Sequence, residues 1–233
     1  MATRLAKEVQ VTITIHDKVV QGSDEWIALR RGLITASEVS LILTPTLKVA
    51  ANDKSRAHVY ELLAQRISQY VEPHYVGSDM LRGEDEEILA RELYAKHYAP
   101  IKEVGFITND RWGFTIGYSP DGLVGAEGLI EAKSRRQKYQ VQTIVENVMP
   151  DDYLLQVQTG LMVTERKWLD FLSYSGGLPM CVMRVHPDEK VHAAIIEAAG
   201  KAEAQIAEKL AIYLEKARTL IATERREYGD MKI

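Results

Sequence analysis

"GYSPDGLVGAEGLIEAKS", residues 117–134, decides how the rest of the chain is read. It sets Asp121, Glu131 and Lys133 into a span dominated by glycine and apolar residues. Asp121 follows Pro120 in a tight turn. Glu131 and Lys133 flank Ala132 in a run that reads as a buried strand. Residues two apart in a strand share a face, so Glu131 and Lys133 point together and Ala132 points away. Isolated charges in such a strand are costly unless they are paired or hold a metal. If "WGFTIGY" and "GLIEAKS" pair as a hairpin-like unit, Asp121 reaches the Glu131 face. Two carboxylates and a backbone carbonyl, that of Ala132, then make a hard-oxygen set suited to Mg²⁺, with Mn²⁺ as a substitute. Mg²⁺ keeps several waters, one of which can attack a phosphodiester, and Lys133 can stabilise the developing negative charge. The spacing alone is loose and also fits a strand-end Asp beside a surface Glu–Lys pair. The apolar run before the charges and the rigid "SPDGL" turn favour the metal reading.

Working outward, the 233 residues fit one large domain, with 46% hydrophobic content and a formal net charge of −4. A mildly acidic total argues against a surface coated in basic charge but leaves room for a basic groove. The single cysteine, Cys181, excludes an internal disulfide. "MATRLAKEVQVTITIH" lacks the apolar core of a signal peptide, and no apolar run approaches the ~20 residues that span a bilayer. A cytoplasmic protein is expected.

"VTITIH" alternates as a strand, and "SDEWIALRRG" reads as a helix capped by Ser23 and stopped by Gly32. "TASEVSLIL" restarts a helix, with Thr35 and Glu38 in capping-box positions. "RAHVYELLAQRIS" and "MLRGEDEEILARELYAKHY" carry helical spacing. "KEVGFIT", "WGFTIGY" and "GLIEAKS" read as strands separated by "NDR" and "SPDGLVGAE". "DDYLLQVQTGLMVT" is helical, and "KWLDFLSYS" and "PMCVMRVH" are two further strands. From about residue 188 an Ala/Glu/Lys/Leu-rich tail forms one long helix or a bent pair. The order predicts an α/β protein with a central mixed β-sheet flanked by helices, residues 1–233 forming one domain with a helical C-terminal tail.

"SPDG" followed by "EAK" resembles the PD-(D/E)XK nuclease superfamily, with its restriction-endonuclease-like core. "QGSDEWIALRRGLITASEVSLIL" is similar to the opening motif of the lambda-type (YqaJ-like) viral recombination exonucleases: W-x-x-x-R, a short link, then G-x-I-T-A-S-E. "LLQVQTGLMVT" resembles that family's Q-x-Q helix. The resemblance implies a Mg²⁺-dependent exonuclease that digests one strand of linear duplex DNA from its 5′ end and leaves 3′ overhangs for recombination by strand annealing. It implies Asp121, Glu131 and Lys133 as the catalytic core and Gln156 as a holder of water or phosphate oxygen. It also implies an upstream acid in G-x-x-x-E, which from Gly83 gives Glu87, although Glu84, Asp85 and Glu86 are acidic too. A ring-shaped homotrimer, a single-strand annealing protein as partner, and a phage or prophage origin in a bacterial host come with the family. Arg31 departs from the pattern, which has an apolar residue there.

The opening motif has its own physics. Trp26 and Arg30, four apart, share a helix face, and Ser37 lies near a helix start that favours an anion. Arg30, Ser37 and Ser119 together can hold a phosphate, and they resemble the family's pocket for the 5′-terminal phosphate. Trp26 is read as core. The six histidines have no metal-ligand spacing. "ERKW" and "RRQK" fit either DNA-facing clusters or solvated turns, with DNA favoured for "RRQK". Another nuclease on this fold, or a non-catalytic DNA-end scaffold, are the competing readings. Intact Asp121, Glu131 and Lys133 argue against the scaffold.

Overall fold

The computed structural model describes residues 12–73 and 77–225. Val11, His74, most of the segment tested for a signal peptide, and the last eight residues of the tail lie outside them.

Two four-stranded mixed sheets carry the fold. The first joins β1 (Ile13–His16), β3 (Phe106–Asn109), β4 (Ile116–Tyr118) and β2 (Ile34–Thr35), in that order. The second joins β5 (Gly122–Val124), β6 (Gly128–Ser134), β7 (Trp168–Tyr174) and β8 (Cys181–Val185). "GLIEAKS" therefore does not pair with "WGFTIGY". Its antiparallel partner is β5, a short strand inside the stretch expected to be a linker, with Gly122 opposite Ile130. On its other edge β6 runs parallel to β7, with Glu131 opposite Phe171.

Seven helices among the described residues surround these sheets: α1 (Asp24–Arg30), α2 (Val39–Ile42), α3 (Asp53–Ser68), α4 (Ser78–His97), α5 (Gln137–Glu146), α6 (Leu154–Thr164) and α7 (Glu189–Ala217). Caps set their starts: the Ser23 side chain accepts from the Trp26 amide, Asn52 from Ser55, and Asp188 from Lys190 and Val191. Gly32, at φ +69°, takes the left-handed conformation just past α1 that a side chain would resist. The expected capping box does not form. Thr35 is extended, and its hydroxyl donates to the Glu38 carboxylate at 2.5 Å. Ala36–Glu38 becomes a 3₁₀ turn leading into one turn of α2.

β6 has helix on both faces, which is why it reads as a nearly unbroken apolar run. Ile130 and Ala132 face Ala90 and Tyr94 of α4, whereas Leu129 enters the larger cluster with α6 and α7. The described part of the tail carries one 29-residue helix. Val191, Ile195, Ala198, Ala202 and Ile206 bury its inner stripe, and Arg66 of α3 grips Glu203 through two bonds of 2.7 and 2.6 Å. No helix of the described residues is long and apolar enough to cross a membrane.

Candidate active site

The connection from β4 to β6 supplies part of one small cleft, about 180 Å³ in volume. Tyr118 ends β4, Ser119 and Pro120 turn the chain, and Asp121 precedes β5. Because β5 pairs with β6 only as far as Ile130, the next stretch of that edge is open. Asp121 fills it, and its Oδ2 accepts from the Ala132 amide at 2.7 Å. The amide and carbonyl of one strand residue point to the same edge, so the Ala132 carbonyl also faces the place where β5 has ended.

Glu131 and Lys133 share the other face of β6. The Lys133 ammonium lies 2.7 Å from Glu131 Oε1 and 3.9 Å from Glu87 of α4. Gln156 of α6 donates to the same Oε1 at 2.5 Å, and the Tyr118 hydroxyl donates to Oε2 at 2.7 Å. The four consecutive acids of α4, Glu84 to Glu87, separate by direction. Glu84 and Asp85 are exposed, Glu87 turns into the cleft, and Glu86 turns to the Ser134 hydroxyl at 2.5 Å and the Gly176 amide.

Three carboxylates around one ammonium leave an excess of negative charge. Burial, then Glu131, push the Asp121 carboxyl up to about 8, and burial also raises Glu87. Burial alone would lower the Lys133 pKa, but Glu131, Asp121 and Glu87 outweigh it and raise the pKa above its ordinary value. Lys133 is therefore a fixed cation. The donor chemistry fits a hard divalent cation: the carboxylates of Asp121 and Glu131 and the Ala132 carbonyl are oxygen ligands, and an added positive charge relieves their repulsion. Among the described residues no three His, Cys, Asp or Glu side chains already cluster tightly enough to hold a metal by themselves. A two-carboxylate site completed by a carbonyl and waters is the form Mg²⁺ accepts.

The other end of the cleft has the opposite plan. Arg30 donates to Ser119 Oγ at 3.4 Å, Thr35 Oγ1 at 3.3 Å and Ser37 Oγ at 3.5 Å. Burial lowers its pKa, and Glu38 partly offsets this. Trp26, expected in the core, belongs to this pocket. The Arg30 guanidinium sits 4.2 Å over its ring, and its indole N–H donates to Ser119 at 2.9 Å. Trp26 thus lines the pocket and the buried Thr35 holds Arg30 behind it, two roles that the sequence did not suggest.

All eight side chains expected from the sequence, Asp121, Glu131, Lys133, Glu87, Gln156, Arg30, Ser37 and Ser119, line this one cleft. Others are placed elsewhere. Arg31 points away and donates to the Gln69 carbonyl at 2.9 Å, tying α1 to the end of α3. Arg166 of "ERKW" clamps the β5–β6 turn through the Gly125 and Gly128 carbonyls. Gln158, the second glutamine of Q-x-Q, holds the start of α7 between the His186 carbonyl and the Asp188 amide. Larger cavities exist, including an apolar groove of about 490 Å³ between α3 and α7, but it lacks this convergence of charged groups.

The solved structures similar to this chain include the alkaline exonuclease LHK-Exo from Laribacter hongkongensis, with 29% identity, a TM-score of 0.75, and coverage of 85% of this chain and 100% of that one. The same exonuclease in complex with dAMP matches at 31% identity and a TM-score of 0.75, with the same coverage. A phage-related exonuclease from Haemophilus somnus 129PT, at 12% identity and a TM-score of 0.54, covers 76% of this chain and 96% of its own and shares the fold. No curated protein sequence matches. The fold is the PD-(D/E)XK exonuclease fold, mixed sheets flanked by helices. The family model for the YqaJ-like viral recombinase domain matches residues 25–167, and the chain belongs to that family.

Proposed function

We propose that this protein is a Mg²⁺-dependent exonuclease that digests the 5′-ended strand of linear duplex DNA and leaves 3′ single-stranded overhangs. The observation that carries the reading is the pairing, in one cleft, of a carboxylate–lysine centre with a separate arginine–hydroxyl pocket. An internal cutter has no use for the second. Arg30, Ser37 and Ser119 receive the terminal phosphate, and this contact sets which phosphodiester lies beside Lys133. Asp121, Glu131 and the Ala132 carbonyl hold Mg²⁺, with Mn²⁺ as a substitute. The ion supplies Lewis acidity to the scissile phosphate and to an attacking water. Lys133, kept protonated by its carboxylate neighbours, stabilises the charge that develops on the phosphate rather than acting as a base. Gln156 holds Glu131 from α6, and Glu87 holds Lys133 from α4.

The polynucleotide partner is a duplex end. The exposed apolar residues Val141, Val145 and Val148, on and just past α5, suit self-association; the homotrimer of single-domain protomers is what the family resemblance implies. A single-strand annealing protein follows as the consumer of the 3′ overhang, in the cytoplasm of a bacterial host. The test compares a closed circular plasmid with the same plasmid linearised, with Mg²⁺ and in EDTA. The reading requires loss of the linear duplex only with Mg²⁺ and an intact circle. Cutting of the circle makes the protein an internal nuclease, and end binding with no cutting makes it a scaffold.

A further inference from the structure

Tyr118 has no part in the chemistry argued so far, and a tyrosine that ends an apolar strand reads as core. Its ring is 1% exposed. Its hydroxyl reaches one acceptor, Glu131 Oε2, at 2.7 Å. Glu131 is itself 2% exposed, and its other oxygen already accepts from Gln156 and Lys133. The two oxygens are therefore held by different elements. Oε1 is held from α6 and by the lysine, and Oε2 is fixed by β4.

We infer that Tyr118 is a positioning residue for the metal site: by holding Glu131 Oε2 it fixes the carboxylate plane and directs Oε1 to the divalent cation. The inference rests on the metal site proposed above. Two further observations carry it. Tyr118 belongs to the same connection as Ser119 and Asp121, so the segment that supplies a carboxylate and a phosphate contact also locks the second carboxylate. The ring, in turn, has no freedom to swing. A Cβ added at Gly160 of α6 would lie 2.7 Å from its Cζ, so α6 presses backbone against the phenol where any side chain would collide. Without the hydroxyl, a buried carboxylate oxygen is left unsatisfied. Glu131 then rotates to share its remaining donors, and the cation loses a preset ligand. Partners that orient metal ligands in this way typically account for about 10- to 100-fold in metal affinity.

The experiment measures Mn²⁺ binding to the full chain by titration calorimetry for wild type, Tyr118→Phe and Glu131→Gln, without DNA. Phe keeps the ring against Gly160, and thermal melts check that it folds. Tyr118→Phe should bind Mn²⁺ about 10- to 100-fold more weakly. Duplex-end affinity in EDTA should be unchanged, and cleavage should recover as Mn²⁺ is raised. A Tyr118→Phe protein with wild-type Mn²⁺ affinity overturns the inference. Wild type whose Mn²⁺ binding is the same as that of Glu131→Gln overturns the metal site itself. Gly160→Ala, which displaces the ring but leaves its hydroxyl, supplies a second variant. It should weaken Mn²⁺ binding in the same direction, and an unaltered affinity in a folded protein counts against the inference.

Discussion

The two ends of the cleft solve opposite electrostatic problems. Around Lys133, Asp121, Glu131 and Glu87 crowd more negative charge than the protein itself neutralises. Around Arg30, three hydroxyls accept hydrogen bonds but bring no charge. One end is short of a cation, and the other, where Glu38 only partly offsets Arg30, still favours an anion. A 5′-phosphorylated strand entering with a divalent ion supplies both. The difference teaches that removing a group at the first end disables the chemistry, whereas removing one at the second changes only which substrate is held. The largest predicted effect is accordingly at Asp121. Asp121→Ala should reduce cleavage to background at saturating Mg²⁺ while the fold survives, since its loss relieves like-charge repulsion. Glu131 differs. Its loss would strand the Tyr118, Gln156 and Lys133 donors, so Glu131→Gln is the safer probe and should be equally inactive. Near wild-type digestion by a folded Asp121→Ala protein would break the comparison at once.

Lys133 comes next. Lys133→Ala should lower the single-turnover rate by about 10²–10³-fold, with a much smaller change in DNA affinity, because the ammonium meets charge that appears in the transition state. Equal losses in affinity, with an unaltered single-turnover rate, would move Lys133 to a binding role.

Arg30 sharpens the other side. A charge-assisted contact from Arg30 to a terminal phosphate is worth roughly 1.5–3 kcal/mol, or about ten- to a hundredfold when binding limits the rate. Initial rates on 5′-phosphate and 5′-hydroxyl duplexes, at one salt concentration, should differ by that much for wild type. Arg30→Ala should lose the preference yet keep residual cutting. Ser37→Ala, which removes a neutral contact at 3.5 Å, should lose less. Equal wild-type rates on both ends would empty the pocket of its role.

What the sequence made legible follows the range of the interactions. Asp121, Glu131 and Lys133 sit within thirteen residues, and Glu131 and Lys133 share a strand face, so their convergence is largely a local statement. Glu87 came from the family's G-x-x-x-E motif rather than from the residues alone, and the structure separates it from Glu86 by the face of α4 each occupies. Strand pairing was not legible, because β2–β4 and β6–β7 join residues far apart in the chain, and the three residues of β5 are hidden between glycines. Trp26 and Tyr118 escaped for a related reason. Each is an aromatic at a core-like position, and only the partner of its polar tip, Ser119 or Glu131, marks it as part of the site.

The last expected effect is in stability and tests the charge excess directly. Asp121 has its carboxyl pushed up to about 8 from an ordinary 3.8. A carboxylate whose folded pKa is raised stabilises the fold fully below its unfolded pKa, where the proton is bound, and that stability is lost as pH rises through the folded pKa. The metal-free protein should therefore melt at falling temperature as pH rises from about 4 to about 8. Asp121→Asn, which carries no charge to desolvate, should flatten that slope and melt higher than wild type at pH 8. Mg²⁺ should flatten the wild-type slope as well, by binding the deprotonated form, and leave Asp121→Asn nearly unchanged. Melting curves in EDTA and in Mg²⁺ across this range decide it. A wild-type slope that Asp121→Asn retains in full would mean that the carboxylate end is not short of a cation.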